Sequence, residues 1–495
     1  MAKPLQNITI AAPALSGLNT QDSPIEMPPS FASVADNLVV DEYGRLGARK
    51  GFALLTSDNT VLGGQSISQV HEFEEEDGTR TIISTANNKV FTGTSTLTDI
   101  TGGASISAND WSMATFNGKC YMFQRGHTAL TYDGTTLANN STAPEGNVVL
   151  AAFGRIWTAD IVNDKQTVYW SDLLDGTSWS TGTSGSLNLD KVWPDGYDEI
   201  TSLQAYNGYL VIFGRNSIVI YDQAEDPASM VLYDTINGIG CIDRNTVQQT
   251  GTDLVFLSNK GVQSFGRLLQ QKSMPLRDIS KNVRDDIVHL TNQETEGYRS
   301  VYNPTEAFYL LTFLSQDITY CFDLRGSLED GSQRVTTWTN SPFKCYTFAE
   351  DTTMYVGNTD GVGKYFGYSD NNTSYRIRYY SHHLSFGDAS VLKILKKIKP
   401  VLIGGGNVTA TLFWGYDYET AYKSQAVKLS KSTPAYFGVG EYGIAEYTGG
   451  ITITKPNINA TGSGATVSVG VEAPINGEPL SLQQLNIQAI VGKMV

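Results

Sequence analysis

The stretch from Tyr206 to Asp222, YNGYLVIFGRNSIVIYD, limits what this chain can fold into more than any other. Two apolar runs, Leu210 to Phe213 and Ile218 to Tyr221, flank Gly214-Arg215-Asn216-Ser217. β-Branched and aromatic residues on both sides of a short loop carrying Gly and Asn predict a β-hairpin. Both faces of each run are apolar, so the sheet they form must be covered on both sides. A single hairpin cannot supply that cover, whereas copies stacked on it can.

Such copies recur along three quarters of the chain. An apolar run, a polar turn and a second apolar or aromatic run occur at 82–91, 121–132, 156–169, 209–221, 254–265, 308–322 and 354–366. The first runs start 39, 35, 53, 45, 54 and 46 residues apart, near the ~40–50 residues of a four-stranded propeller blade. The fold class expected is all-β: a β-propeller of about six to seven blades. An antiparallel sandwich, single or paired, is the alternative. Composition agrees with either, since 48 Gly and 26 Tyr accompany few helical patterns.

The flanks differ from the repeats. Pro4, Pro13, Pro24, Pro28 and Pro29 make residues 1–66 an extended N-terminal arm, with one short helical turn expected at 31–36. Such an arm wraps its own fold or reaches a neighbour. Residues 67–372 form the propeller, with one inserted helix expected over 275–292, where Ile279, Val283, Ile287 and Leu290 share a face. Residues 373–495 lose the repeat spacing and read as a C-terminal β-sandwich-like domain.

Charge and cysteine content narrow the function. Fifty acids against 35 Lys and Arg give a net charge of −15, which argues against tight phosphate neutralisation. Cys120, Cys241, Cys321 and Cys345 lack CxxC spacing and are read as reduced. No run approaches the ~18 apolar residues of a membrane span, and the start lacks a continuous signal-peptide core, so a cytoplasmic site of synthesis is expected. Two basic groups are candidate partner contacts: Arg45, Arg49 and Lys50 in DEYGRLGARKGF, and Lys393, Lys396 and Lys397 with Lys399 behind them. Each has a plainer alternative. The first group would pair with Asp41 and Glu42, and the second would guard a strand edge.

Catalytic and cofactor signatures are not found. The five histidines are scattered, and HExxH, CxxC, GxSxG and P-loop patterns do not occur. The expectation is therefore no enzyme, no catalytic residue, no metal and no cofactor. Ser171 to Trp179, SDLLDGTSW, partly resembles the Asp-box turn of sialidase-type propellers, although its Ser–Asp–Gly spacing departs from that box. Trp170, Trp179 and Trp193 are read as packing residues. A glycan-binding or glycan-cleaving propeller, its carboxylates drawn from different blades, remains the alternative function.

The order of several segments resembles the tail hub, or nozzle, proteins of short-tailed bacteriophages. These segments are Gly17-Leu18-Asn19 through Asp22-Ser23-Pro24, Asn37, Asp41 with GRLGARKGF, YWSDLLDGTSW at 169–179, NGYLVIFGRNSIVIYD, the amphipathic helix, and YRSVYNPTEAFYLLTF at 298–313. The likeness spans about residues 5–370. It implies a structural virion protein, assembled in the host cytoplasm into a hexameric ring of the tail. That ring would sit below the portal and adaptor, meet tail fibres, and pass double-stranded DNA without binding it specifically. Six copies would carry about −90, and a lumen bearing part of that charge repels phosphates.

Overall fold

The computed structural model describes residues 5–494 apart from 42, 105, 272–277, 407 and 430–452. Residues 69–99, 112–140, 148–188 and 200–237 form four successive four-stranded antiparallel sheets. A three-stranded sheet follows at 248–264, and strands at 298–339 make the next set of four. The last sheet joins three strands at 345–365 to Phe52–Leu54. The first strand of each sheet, or the turn just before it at 244–246, packs beside the first strand of the next, and the last returns to the first. The described residues thus hold a β-propeller with six four-stranded blades and one three-stranded blade, besides further sheets.

Each of the seven repeats read from sequence is the second and third strand of a blade. In the fourth blade these are Tyr209–Gly214 and Ser217–Asp222, with Leu210 to Phe213 and Ile218 to Ile220 buried throughout. Alternate residues face opposite ways along a strand, so each blade packs on both neighbours. Leu210, Ile212 and Val219 accordingly meet Trp157 and Trp170 of the third blade, while Val211, Phe213 and Ile218 meet Phe256 of the fifth.

The three-stranded blade is completed by helices. Phe265–Gln271 follows its last strand, and Arg284–Gln293 is the helix expected from the apolar spacing. Ile279, Val283 and Ile287 are buried against Val255, Leu257 and Val262, with Leu290 at the margin. The expected helix began earlier than the observed one: 279–280 form a turn, Lys281–Val283 is a single 3-10 turn that leads into Arg284, and 275–277 lie outside the described residues. Four buried thiols stay unpaired, and burial pushes each upward.

The N-terminal segment is extended, and it is woven into its own fold. Phe31–Asp36, expected as a helical turn, is a strand. It pairs in parallel with the last strand of the sixth blade at Thr337 and antiparallel with Tyr375–Ser381. Pairing on both edges overrides the weak local helical preference of FASVAD. One ten-stranded sheet therefore runs from the sixth blade into the C-terminal sandwich. The opposing eight-stranded sheet takes Leu5–Ile10 and Leu46–Ala48 onto Leu480–Met494. The apolar core between the two sheets includes Leu395, Ile398, Leu412, Val469 and Ile487.

Candidate functional site

In an antiparallel blade, the turn between second and third strands and the crossover to the next blade lie on the same end of the ring. Here those segments surround a cavity of about 250 Å³ on the ring axis. Crossovers supply Asp110, Asn147, Glu199, Asp243 and Arg244; the turns of the second, third and fourth blades supply Arg125, Asp160 and Arg215. At the opposite end a wider mouth of about 690 Å³ is lined by His71, Met113, Gln248, Tyr302 and Tyr346 among others.

Between the two mouths the axis is bridged by ion pairs. Arg244 and Arg299, from the fifth and sixth blades, reach Asp110 at 3.2 and 3.0 Å. Arg244 also donates to the Asp110 and Asn147 carbonyls, each at 2.6 Å. Gln69 donates to Asp110 Oδ1 at 2.8 Å, and Ser300 donates to the Asn245 carbonyl at 2.6 Å. Burial works against ionisation of Asp110, but the two guanidiniums outweigh it and hold the carboxyl below its ordinary range. Asp243 is the opposite case: burial raises it, against the pull of Arg244. Asp160 pairs with Arg125 and accepts from Asn147 Nδ2 at 2.9 Å.

His71 lies on the other side of this bridge, with Nε2 3.0 Å from Thr115 Oγ1. Burial lowers it from 6.5 to about 4. The native ring then stays neutral while the unfolded chain takes a proton, so stability is lost as pH falls from about 6.5 toward 4. A His71→Gln variant is expected to lose less stability than the parent across that window in thermal melts. Equal slopes in the two proteins would count against it.

The six residues assigned to partner contacts do not act alike. Arg49 is fully buried, paired in bidentate fashion with Asp370 at 2.7 and 2.9 Å, so it has no surface for a partner. Arg45 pairs with Asp41 at 2.7 Å, Lys50 pairs with Glu306, and Glu42 lies outside the described residues. Lys393 is buried, and its ammonium donates to the Ala465 carbonyl at 2.7 Å. Nor does Val391–Gly404 form a guarded edge: it is paired on both sides. Only Lys396 is well exposed, with Lys397 half-buried. The Asp-box-like turn is a structural brace, in which Asp172 accepts from Leu173 N and Thr183 N, each at 2.8 Å. Trp170 and Trp193 are buried, and Trp179 packs edge-on against Phe123.

The axial residues were not found from sequence, because they come from four crossovers and three turns with no shared motif. Among the described residues, no three His, Cys, Asp or Glu side chains converge to hold a metal ion. No helix among them is long and apolar enough to cross a membrane. No family model matches the chain, and no curated protein does. Among solved structures it is similar to PorZ, a surface component of the type-IX secretion system of Porphyromonas gingivalis. That match has 12% identity over 67% of this chain and 42% of PorZ, with a TM-score of 0.36. It is also similar to the Neurospora crassa Pan2 WD40 domain, at 9% identity over 64% of this chain and 94% of that one, TM-score 0.38. A third is the extracellular domain of the putative one-component system BT4673 of B. thetaiotaomicron, at 11% identity over 89% and 64%, TM-score 0.41. The chain thus spans less than half of PorZ and under two thirds of the BT4673 domain.

Proposed function

We propose that this protein is a structural virion component, a tail hub or nozzle subunit whose hexameric ring extends the DNA-ejection channel below portal and adaptor. The observation that carries this reading is the sheet running unbroken from the sixth blade into the C-terminal sandwich. It welds two parts of unlike charge into one body. Residues 52–372 hold 38 acids against 20 Lys and Arg, while residues 373–495 hold 7 against 11. A rigid block with unlike ends favours head-to-tail contact, and such contacts close into rings when the rotation per copy closes.

Ion pairs bridge the propeller's own axis, so in this reading DNA passes through an opening between copies. An opening walled by acidic propellers repels phosphates and adds no counterion-release affinity that would slow sliding. The motif order shared with short-tailed phage tail hubs supports the same reading. Light scattering and negative-stain imaging of the chain, alone and with portal-side tail proteins, test it. Six-fold rings are expected. A chain that stays monomeric with those partners, or that releases reducing sugar from glycans, overturns it.

A further inference from the structure

The end of the ring opposite the crossovers leaves large apolar side chains in water. Leu173 and Leu174 lie in the connection between the third and fourth strands of the third blade, and Val231, Leu232 and Tyr233 open the outer strand of the fourth. Each is 45–64% exposed, and together they are five of the thirteen large apolar side chains exposed among the described residues. Single exposed leucines are ordinary, whereas a group of them marks a contact surface. The two sets are neighbours. Arg155 stands between them, attracted by Asp172 beside Leu173 and by Asp226 in the loop that leads to Val231. Trp170 and Met230, at the roots of the two sets, share one core. Tyr233 rests against Tyr209, their ring centres 4.5 Å apart.

Charge limits what can cover this patch. Residues 148–237, the third and fourth blades, hold 12 acids against 4 Lys and Arg. Asp175, Glu225 and Asp226 are exposed in the two connections that carry the patch, while Arg155 is buried. Two-fold contact of the patch with itself would set these carboxylates against one another. The anionic face of a bilayer is disfavoured on the same ground. The cover must therefore combine apolar surface with positive charge.

The sandwich of the same chain carries such a surface. Its 11 Lys and Arg exceed its 7 acids, the reverse of the blades. The strand Lys423–Lys428 is exposed at every position except Val427, which is half-buried. Among the described residues this strand pairs with Thr409–Tyr416 alone, so its second edge is open to another chain. Tyr418, in the turn before it, is 51% exposed. Two lysines thus share one margin of the sandwich with an alanine, a valine and a tyrosine. Patch and strand are both exposed in one rigid chain, so neither covers the other within a single copy.

We propose that the Lys423–Lys428 margin of a second copy docks on the apolar patch of the third and fourth blades, a head-to-tail contact that rests on the ring reading and names its two surfaces. Sedimentation velocity on the full chain, under the conditions in which the parent assembles, tests this with two double variants. Leu174→Asp with Leu232→Asp breaks the patch, and Lys423→Glu with Lys428→Glu breaks the strand. All four side chains are exposed, so both variants should keep the parent's thermal midpoint. Each alone should assemble at least about tenfold more weakly than the parent. Mixed, the two should form a one-to-one pair and stop there, because one intact patch then meets one intact strand. The proposal falls if either folded variant assembles like the parent, if the strand variant alone still dimerises through its patch, or if the mixture stays monomeric. Parent rings that survive both variants remove this contact and leave the ring reading standing, whereas a parent that stays monomeric with portal-side proteins overturns both.

Discussion

An Arg49→Ala variant is expected to unfold with about 3–5 kcal/mol less stability than the parent, the usual cost of removing one partner from a buried ion pair. Arg49 joins three parts of the chain that are far apart in sequence. Nε donates to Asn37 Oδ1 at 2.9 Å in the N-terminal segment, and the two terminal nitrogens grip Asp370 beyond the last blade. Its guanidinium lies 4.1 Å from the ring centre of Tyr375, where the C-terminal sandwich begins, and Tyr375 in turn donates to the Arg49 carbonyl. Truncation leaves Asp370, with 12% of its side chain exposed, as an uncompensated charge beside aromatic rings.

The pair can be separated from the packing. Chemical denaturation of Arg49→Ala, Asp370→Ala and the double variant should be clearly less than additive, because the second truncation removes the orphaned charge left by the first. Arg49→Lys should recover only part of the loss, since an ammonium cannot span both carboxylate oxygens and Asn37 at once. A cost below about 1 kcal/mol for Arg49→Ala would place the pair among exposed surface bridges, contrary to its burial.

The blades were legible where both faces of a strand are buried. The middle strands carry uninterrupted apolar runs, so Leu210 to Phe213 and Phe308 to Phe313 stand out in any reading. Innermost and outermost strands face solvent on one side or along one edge and lose that contrast. Ser112–Phe116 is only half-buried at every position, and Val231–Asn237 begins with three exposed residues. Arg49 and Lys393 misled for a different reason. A basic residue in a turn or on a strand reads as surface, and only the distant partners Asp370 and the Ala465 carbonyl reveal a buried role. The axial charges left no local trace at all. Arg215 sat in the stretch that organised the whole reading, yet nothing in a four-residue hairpin loop tells that it comes to line the same cavity as Arg244 and Asp160.

Closure of that ring depends on three residues from the other end of the chain. Phe52–Leu54 is the outer strand of the last blade, with Phe52 opposite Tyr365, Ala53 opposite Lys364 and Leu54 opposite Gly363. Phe52 is 1% exposed and shares a core with Val301, Phe308, Trp338 and Tyr365. Truncating it to alanine should cost about 3–5 kcal/mol, as for other buried phenylalanines. Gly363→Val attacks the same seam from the facing strand, since a Cβ there would lie 2.3 Å from the Phe52 ring. Its main chain is not in the left-handed region, so the obstacles are the ring and the Ala53 carbonyl oxygen, 2.6 Å from that Cβ, and not backbone strain. If the strand is a closing latch, both variants should expose the segment 345–365 to protease well before the remaining blades, and the double variant should recover part of the Gly363→Val loss because alanine at 52 vacates the space the valine needs. Uniform proteolysis of all blades, or strictly additive losses, would mean that the ring is held by blade-to-blade packing and that the N-terminal strand merely lies along it.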